Sequence, residues 1–177
     1  MGKNGIGCRG SGARGSRGLL LRAGCDLAKA MADEPALGHD QGWAANVKDG
    51  SLEHLDIYVS DLARSGEFWG AFLTALGYRE FAKSPTGWSW TNDESTVFLL
   101  QAEPEYLDPP YHRKRVGMNH LAFAVSSKQQ VDALATAMVG RRVPLLYGGP
   151  RAGRTTYAVF FEDPDRIKIE VVAPLSA

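Results

Sequence analysis

An internal repeat is the feature that most constrains how this 177-residue chain can fold. The segment LEHLDIYVSDL begins at Leu52 and the segment MNHLAFAVSSK begins at Met118, so the two are offset by 66 positions. Self-similarity at one offset indicates a structural unit that is used twice. The identical pairs are His54 with His120, Leu55 with Leu121, Val59 with Val125, and Ser60 with Ser126.

A helix is predicted after each of the two matching strands. In the first copy apolar residues recur every four positions from Phe68 to Leu76, and in the second copy they recur at helical spacing from Val131 onward. Serine or aspartate precedes each helix and can cap its N-terminus. Gly77 and Gly140 are predicted to end the two helices.

Three strand-like segments follow each helix. They read YREFA, TGWSWT and STVFLLQA in the first copy, and VPLLYG, RTTYAVFF and RIKIEVVA in the second. Each copy is therefore strand, helix and three strands. We predict an α+β fold of two tandem βαβββ modules, at about residues 51–104 and 117–174, within a domain of residues 49–177.

Residues 1–48 are predicted to be a poorly ordered N-terminal extension. The first 25 residues contain eight glycines and no periodic apolar pattern. We weighed a secretory signal, a transit peptide and an unselected extension ahead of an internal start at Met31. The short apolar run argues against the first and the glycine density against the second, so we favour the third.

Composition excludes several classes of partner. Twenty lysines and arginines balance twenty acidic residues, so no net charge would attract nucleic acid. No segment has the roughly 20 apolar residues that span a membrane. Both cysteines, Cys8 and Cys25, lie in the predicted extension. The domain then has no disulfide, which is compatible with a reducing cytoplasm, and a small molecule is the expected partner.

Strand alternation places polar side chains on the face of each sheet that does not pack on a helix, which we call the open face. In the first strand His54 and Asp56 take that face, and His120 takes it in the matching strand. In the last strand Lys168 and Glu170 take it. A convergence of these residues is expected if the sheets curve so that their open faces meet.

Two imidazoles and one carboxylate are a suitable ligand set for one divalent ion, whether Zn(II), Mn(II), Fe(II), Co(II) or Ni(II). We therefore predict that His54, His120 and Glu170 bind a metal. The alternative for each histidine is a structural residue satisfied by a hydrogen bond. The repetition of the histidine in both copies favours the metal site.

Further side chains are candidates for catalysis or substrate binding, each with a structural alternative. Asp56 is a candidate base or orienting group, or else a solvated carboxylate at a strand end. Aromatic residues could contact substrate or simply pack, and a basic residue of the HRKR linker could attract an anion or be solvated. These candidates are the catalytic Tyr157 and the substrate-binding Tyr58, Trp88, Trp90 and Arg115.

These motifs resemble the vicinal oxygen chelate superfamily, which includes glyoxalase I, extradiol dioxygenases, fosfomycin-resistance transferases and metal-free bleomycin-binding proteins. The resemblance covers about residues 51–174 and rests on EHLDIYVSDLARSGEFW, MNHLAFAVSS and YAVFFEDPDRIKIEVV, with Arg166 where glycine is common. It implies a curved mixed sheet around a cleft, metal ligands on the first and last strands of each module, and a homodimer.

The resemblance carries the three predicted ligands onto three of the four ligand positions of that superfamily. The fourth position is Leu100, which argues against glyoxalase I, and Phe160 stands where the dioxygenase and fosfomycin-resistance branches place a tyrosine. The resemblance implies a metal-dependent lyase, transferase or dioxygenase that chelates a small oxygen-rich metabolite. The alternative is a metal-free protein that sequesters a small molecule.

Overall fold

The structure is a computed structural model and describes residues 49–175. The predicted extension, including the proposed start at Met31, lies outside the described residues. Within the described part of the chain, no helix combines the length and apolarity needed to cross a membrane.

The first module consists of five elements and one four-stranded sheet. Its sheet has the order β1, β4, β3, β2, in which β1 is parallel to β4 and the other neighbours are antiparallel. The elements are β1 (His54–Val59), α1 (Leu62–Ala75), β2 (Arg79–Lys83), β3 (Gly87–Thr91) and β4 (Thr96–Gln101).

The second module repeats this topology with the sheet order β5, β8, β7, β6, and β5 is parallel to β8. The α+β prediction of two tandem βαβββ modules is therefore confirmed, with each module forming a mixed sheet of its own. The elements are β5 (Leu121–Ala124), α2 (Lys128–Gly140), β6 (Arg151–Ala152), β7 (Thr156–Glu162) and β8 (Lys168–Pro174).

Both helices begin at the side-chain caps that the sequence predicts. The Asp61 carboxylate accepts a hydrogen bond from the backbone N–H of Arg64 at 2.9 Å. At the second helix the hydroxyl of Ser127 accepts from the N–H of Gln130 at 3.3 Å, and the Gln130 side chain accepts from the N–H of Ser127 at 3.2 Å. This reciprocal capping box satisfies donors that the first turn leaves unpaired.

Both predicted helix ends are confirmed, whereas one strand prediction for the second module is wrong. Gly77 follows the first helix with φ +88°, and the second helix ends at Gly140, after which Arg142 takes the left-handed conformation (φ +63°). The segment VPLLYG forms a short 3-10 turn at Leu146–Gly148 instead of a strand, and the paired strand is the two-residue β6 that follows it. A proline at position 144 and two glycines limit pairing there.

The core is shared by both modules because α1 packs against the second sheet as well as its own. Trp69 and Phe72 of α1 are fully buried. The Phe72 ring lies 5.1 Å from that of Phe123 in β5 and 5.4 Å from that of Phe161 in β7, in edge-to-face geometry. Such pairs stabilise beyond the area that they bury.

The turn between β7 and β8 joins the modules through polar contacts. The indole N–H of Trp69 donates to the carboxylate of Asp163 at 3.0 Å. Asp165 accepts from the backbone N–H of Ser60 at 2.9 Å and from the Arg64 guanidinium at 3.1 Å. Burial raises the pKa of Asp163 to about 6, although hydrogen bonds from Trp69 and from the N–H of Ile167 act in the opposite direction.

Candidate metal centre

The open faces of both sheets carry the polar residues that alternation predicts. In β1 the side chains of Ile57 and Val59 are buried in the core, whereas His54, Asp56 and Tyr58 are exposed. In the second module His120 immediately precedes β5, and Glu170 of β8 is the register neighbour of Ala122 in β5. Because one face of each strand is buried in the core, only the side chains on the open face are available to form a site.

His120 and Glu170 form a close pair on the open face of the second sheet. The Nε2 atom of His120 lies 3.0 Å from the Oε2 atom of Glu170. Two donor atoms that are each about 2.1 Å from one divalent ion and subtend a right angle are about 3.0 Å apart. The separation of this pair therefore fits two neighbouring ligands of one ion, and it equally fits a charged hydrogen bond.

Asn119 orients the imidazole of His120. Its Oδ1 atom lies 2.7 Å from Nδ1 of His120, and its Nδ2 group donates to the backbone carbonyl of Arg113 at 3.4 Å. This second bond fixes the amide so that oxygen faces the imidazole, and Nδ1 then carries the hydrogen. The lone pair of Nε2 is directed at Glu170, and either a proton or a cation must lie between these two acceptors. Metal-binding histidines are held in this way.

His54 repeats the arrangement in the first module. Its Nδ1 atom contacts the carboxylate of Glu53, and its ring lies edge-on to Phe98 with centroids 5.9 Å apart. The hydrogen bond to Glu53 raises the pKa of His54, and the charge of Asp56 acts in the same direction. The sequence analysis did not single out Glu53 or Asn119. Each directly precedes its histidine, at the same offset as the repeat.

The three predicted ligands do not meet within one chain. Among residues 49–175, no three His, Cys, Asp or Glu side chains are grouped closely enough to hold a metal ion. His120 and Glu170 are together, whereas His54 and the neighbouring Asp56 lie on the other sheet. A single chain therefore provides two of the three predicted ligands at one place.

The first strands of the two modules, β1 and β5, are both edge strands of their sheets. Residues 51–171 match the sequence profile of the glyoxalase/bleomycin resistance protein/dioxygenase superfamily. The chain belongs to this superfamily.

Relatives of this superfamily resemble most of the described chain. This chain is 48% identical over 126 residues to the uncharacterised protein YqjT of Bacillus subtilis. The match covers 70% of this chain and 98% of YqjT. A candidate glyoxalase from Bacillus halodurans is 40% identical in sequence, with a TM-score of 0.67 over 71% of this chain and 97% of that chain. Lactoylglutathione lyase from Agrobacterium tumefaciens, at 18% identity and a TM-score of 0.53 over 72% and 96%, shows the shared fold alone.

Two positions where superfamily members commonly carry polar groups are apolar on the open faces here. Leu100 of β4 lies beside Tyr58 in the register of the first sheet. Phe160 of β7 lies directly opposite Glu170 in the second sheet. Phe160 therefore places hydrocarbon beside Glu170, and Leu100 places it on the open face of the first sheet.

The two tryptophans proposed to contact substrate face the helix. Trp88 and Trp90 stack on each other at 5.0 Å, in register with the buried Val97 and Leu99 of β4. The glycines of α1 make room for them, since a Cβ at Gly66 would lie 2.1 Å from the Trp88 ring. Both tryptophans therefore pack against α1, and we do not include them in the candidate centre.

Tyr157 also lies on the helix-packed face. Its hydroxyl donates to Asp132 of α2 at 2.8 Å, and the Lys128 ammonium lies 4.4 Å from its ring. It stands three residues before Phe160, and an odd spacing along a strand puts the two on opposite faces. We therefore assign Tyr157 to holding α2 on the sheet, not to catalysis.

The remaining two candidates are accessible. Tyr58 is 67% exposed on the open face of β1. Arg115 is exposed in the linker and donates to the backbone carbonyl of Pro110 at 2.8 Å, which ties it to its own loop. The neighbouring Arg113 is the basic linker residue that reaches the open face, where it pairs with Glu162 of β7.

A groove of about 930 Å³ lies between the two modules, and none of the predicted metal ligands lines it. Its walls come mainly from apolar side chains of both modules, including Leu55, Leu76, Phe123 and Leu134. The open-face residues Ala122 and Ala124 of the edge strand β5 also border it. A groove of this size can accommodate a small ligand.

Proposed function

We propose that the protein is a divalent-metal-dependent enzyme of this superfamily that acts on a small oxygen-rich metabolite. The observation that carries the proposal is the pair of atoms Nε2 of His120 and Oε2 of Glu170, 3.0 Å apart, with Asn119 contacting Nδ1 so that Nε2 faces Glu170. Nitrogen and carboxylate donors suit Zn, Mn, Fe, Co or Ni.

The third ligand is His54, and we propose that a second copy of the chain supplies it in a homodimer. Two observations support this arrangement. His54 carries the same orienting contact as His120 but lies apart from the His120 and Glu170 pair in one chain. The edge strands β1 and β5 each leave one side unpaired in the described chain, and such edges commonly associate with another chain.

A bound ion would supply Lewis acidity toward a substrate that chelates it through two adjacent oxygens. Glu53 and Asn119 would keep both imidazoles in the ligating tautomer. Asp56, exposed two residues after His54, would accept a proton from the substrate, and Tyr58 would contact the substrate beside it. The superfamily resemblance implies a lyase, a transferase or a dioxygenase.

Metal uptake is the test of this proposal. Purified wild-type protein, reconstituted with Zn, Mn, Fe or Ni, is expected to retain about one ion per chain, and His120→Ala is expected to lose most of it. His112→Ala is the matched control, because His112 lies in the exposed linker and accepts a hydrogen bond from the N–H of Lys114. Equal metal contents in the wild type and both variants would contradict the proposal.

A metal-free binding protein is the second candidate function. The observations that favour it are the apolar groove of about 930 Å³ and the leucine at position 100, where a further ligand would otherwise stand. In that case the protein would bind a small apolar ligand with equal affinity whether or not metal is present. A metal-independent affinity that survives His120→Ala would favour this function.

The proposed partner is a small molecule, and the proposed compartment is the cytoplasm. The described residues contain no cysteine and therefore no disulfide, which suits a reducing compartment.

A further inference from the structure

Lys168 is a buried cation on the same face as the candidate centre. It begins β8, two residues before Glu170, so both side chains leave the same side of the strand about 7 Å apart. Only 9% of Lys168 is exposed. Lysine is rarely buried to this extent without a partner, because its charge loses hydration.

The acidic neighbours of Lys168 are already engaged. Glu162, its partner in the β7 to β8 register, binds Arg113 and lies 3.6 Å from the Nε of Arg166. Glu170 faces His120. Among the described residues, no carboxylate oxygen lies within 4.0 Å of the Lys168 ammonium. Its charge is therefore not neutralised by the described part of the chain.

Two aromatic rings hold the ammonium of Lys168. It lies 5.2 Å from the ring centroid of Phe160 and 5.9 Å from that of Tyr147. Phe160 stands opposite Glu170, so the ring that contacts the Lys168 ammonium also borders Glu170. At these distances the rings offset only part of the lost hydration.

The position of Tyr147 is itself unusual. Its backbone is left-handed, with φ +58°, a region that few residues other than glycine adopt. Its ring packs edge-on to Phe160 at 5.4 Å, and the guanidinium of Arg151 lies 5.8 Å from the same ring. A second cation thus flanks this aromatic wall, which leaves the local surface with an excess of positive charge.

We infer that Lys168 binds a carboxylate on the substrate and thereby selects an anionic metabolite. This inference rests on the proposed function, because the same molecule would chelate the metal through its adjacent oxygens. A single buried ammonium matches a group with one negative charge. The substrate class is then a small acid that carries a chelating oxygen pair at one end and a carboxylate at the other.

Two hydroxamates provide the test, because both chelate divalent metals through adjacent oxygens. Succinic monohydroxamic acid carries a carboxylate where butanohydroxamic acid has a methyl group. Zinc-loaded wild-type protein is expected to bind the acid about 10- to 100-fold more tightly, as expected for a charged hydrogen bond. Lys168→Met should abolish this preference. Lys128→Met, in which a helix-surface lysine paired with Asp132 is lost, should retain it.

Metal content and thermal unfolding of each variant are measured alongside the affinities. If zinc is bound but the wild type binds both hydroxamates equally, or if folded Lys168→Met keeps the preference, the inference about Lys168 is wrong and the metal site stands. If the wild type takes up no zinc, the proposed function fails and the inference fails with it. Equal binding of the two hydroxamates by the wild type overturns the inference even if Lys168→Met does not fold.

Discussion

The side-chain oxygen of Asn119 lies 2.7 Å from Nδ1 of His120, and this contact leaves only Nε2 to face Glu170. Asn119→Leu is expected to weaken metal binding about 10- to 100-fold, since the imidazole loses the acceptor that fixes its tautomer. Asn119→Asp retains an acceptor and should bind nearly as tightly as the wild type. Zinc affinities from chelator competition would measure both, and equal losses in the two variants would contradict the assignment.

His54 is expected to act in trans. His54→Ala and His120→Ala should each lose metal, but a refolded equimolar mixture should regain binding because a mixed dimer contains one intact site. Random pairing would restore roughly a quarter of the wild-type metal content in a two-fold symmetric dimer.

The control for this experiment is a mixture of His120→Ala with Glu170→Ala. Both variants damage the same half-site, so their mixed dimer contains no intact centre and should remain metal-free. Binding that is restored in neither mixture, while the wild type is dimeric and metal-loaded, would place all ligands within one chain.

Asp163 gives the fold a pH dependence. Its pKa is raised from 3.8 to about 6, so the folded protein holds this proton more tightly than the unfolded chain does. The associated stability is present below pH 3.8 and is lost as the pH rises to about 6. The shift of roughly two units corresponds to about 3 kcal/mol.

Asp163→Asn removes this titration. The free energy of unfolding of the wild type, relative to that of the variant, should therefore fall by about 2 to 3 kcal/mol between pH 4 and pH 7. Urea unfolding followed by tryptophan fluorescence is suitable, because Trp69 contacts Asp163 directly. A difference that stays constant over this range would show that the carboxylate does not titrate there.

The glycines of α1 are expected to be graded in their tolerance of a methyl group. Gly66→Ala should destabilise the fold by about 1 to 3 kcal/mol, because the new carbon would overlap Trp88 and the indole ring must move. Gly70→Ala should cost less, since the nearest atom of Trp90 is 3.1 Å away. Gly140→Ala meets nothing within 4 Å and should stabilise by about 0.5 to 1 kcal/mol. Thermal unfolding would rank the three, and equal effects would contradict this packing.

Much of the architecture could be predicted from periodicity. Repetition at one offset predicted two modules, and strand alternation predicted that the side chains of His54, His120 and Glu170 lie on the open faces. The capping residues Asp61 and Ser127 predicted where the helices begin. These features depend on local sequence, so they need no knowledge of how the modules pack.

The alternation of side chains along a strand does not reveal which face packs on a helix or how the two modules pack together, and the incorrect site predictions have these two causes. For Trp88 and Trp90 only the pairing register with β4 reveals the face, and the clue in sequence was the glycine pair in α1 that accommodates them. Tyr157 could have been excluded by its odd spacing from Phe160. Whether His54 meets the other ligands depends on long-range packing, which a sequence pattern does not specify.

Helix α1 lies in contact with both sheets, and this has a consequence for how the molecule could have been built from a duplicated unit. Phe72 touches Phe123 and Phe161, so removal of the second module would expose the most buried aromatic residues of the first. The two modules are therefore expected to unfold together. The 66-residue repeat is therefore still visible in the order of the strands, although the contacts of α1 join the two modules into one folding unit.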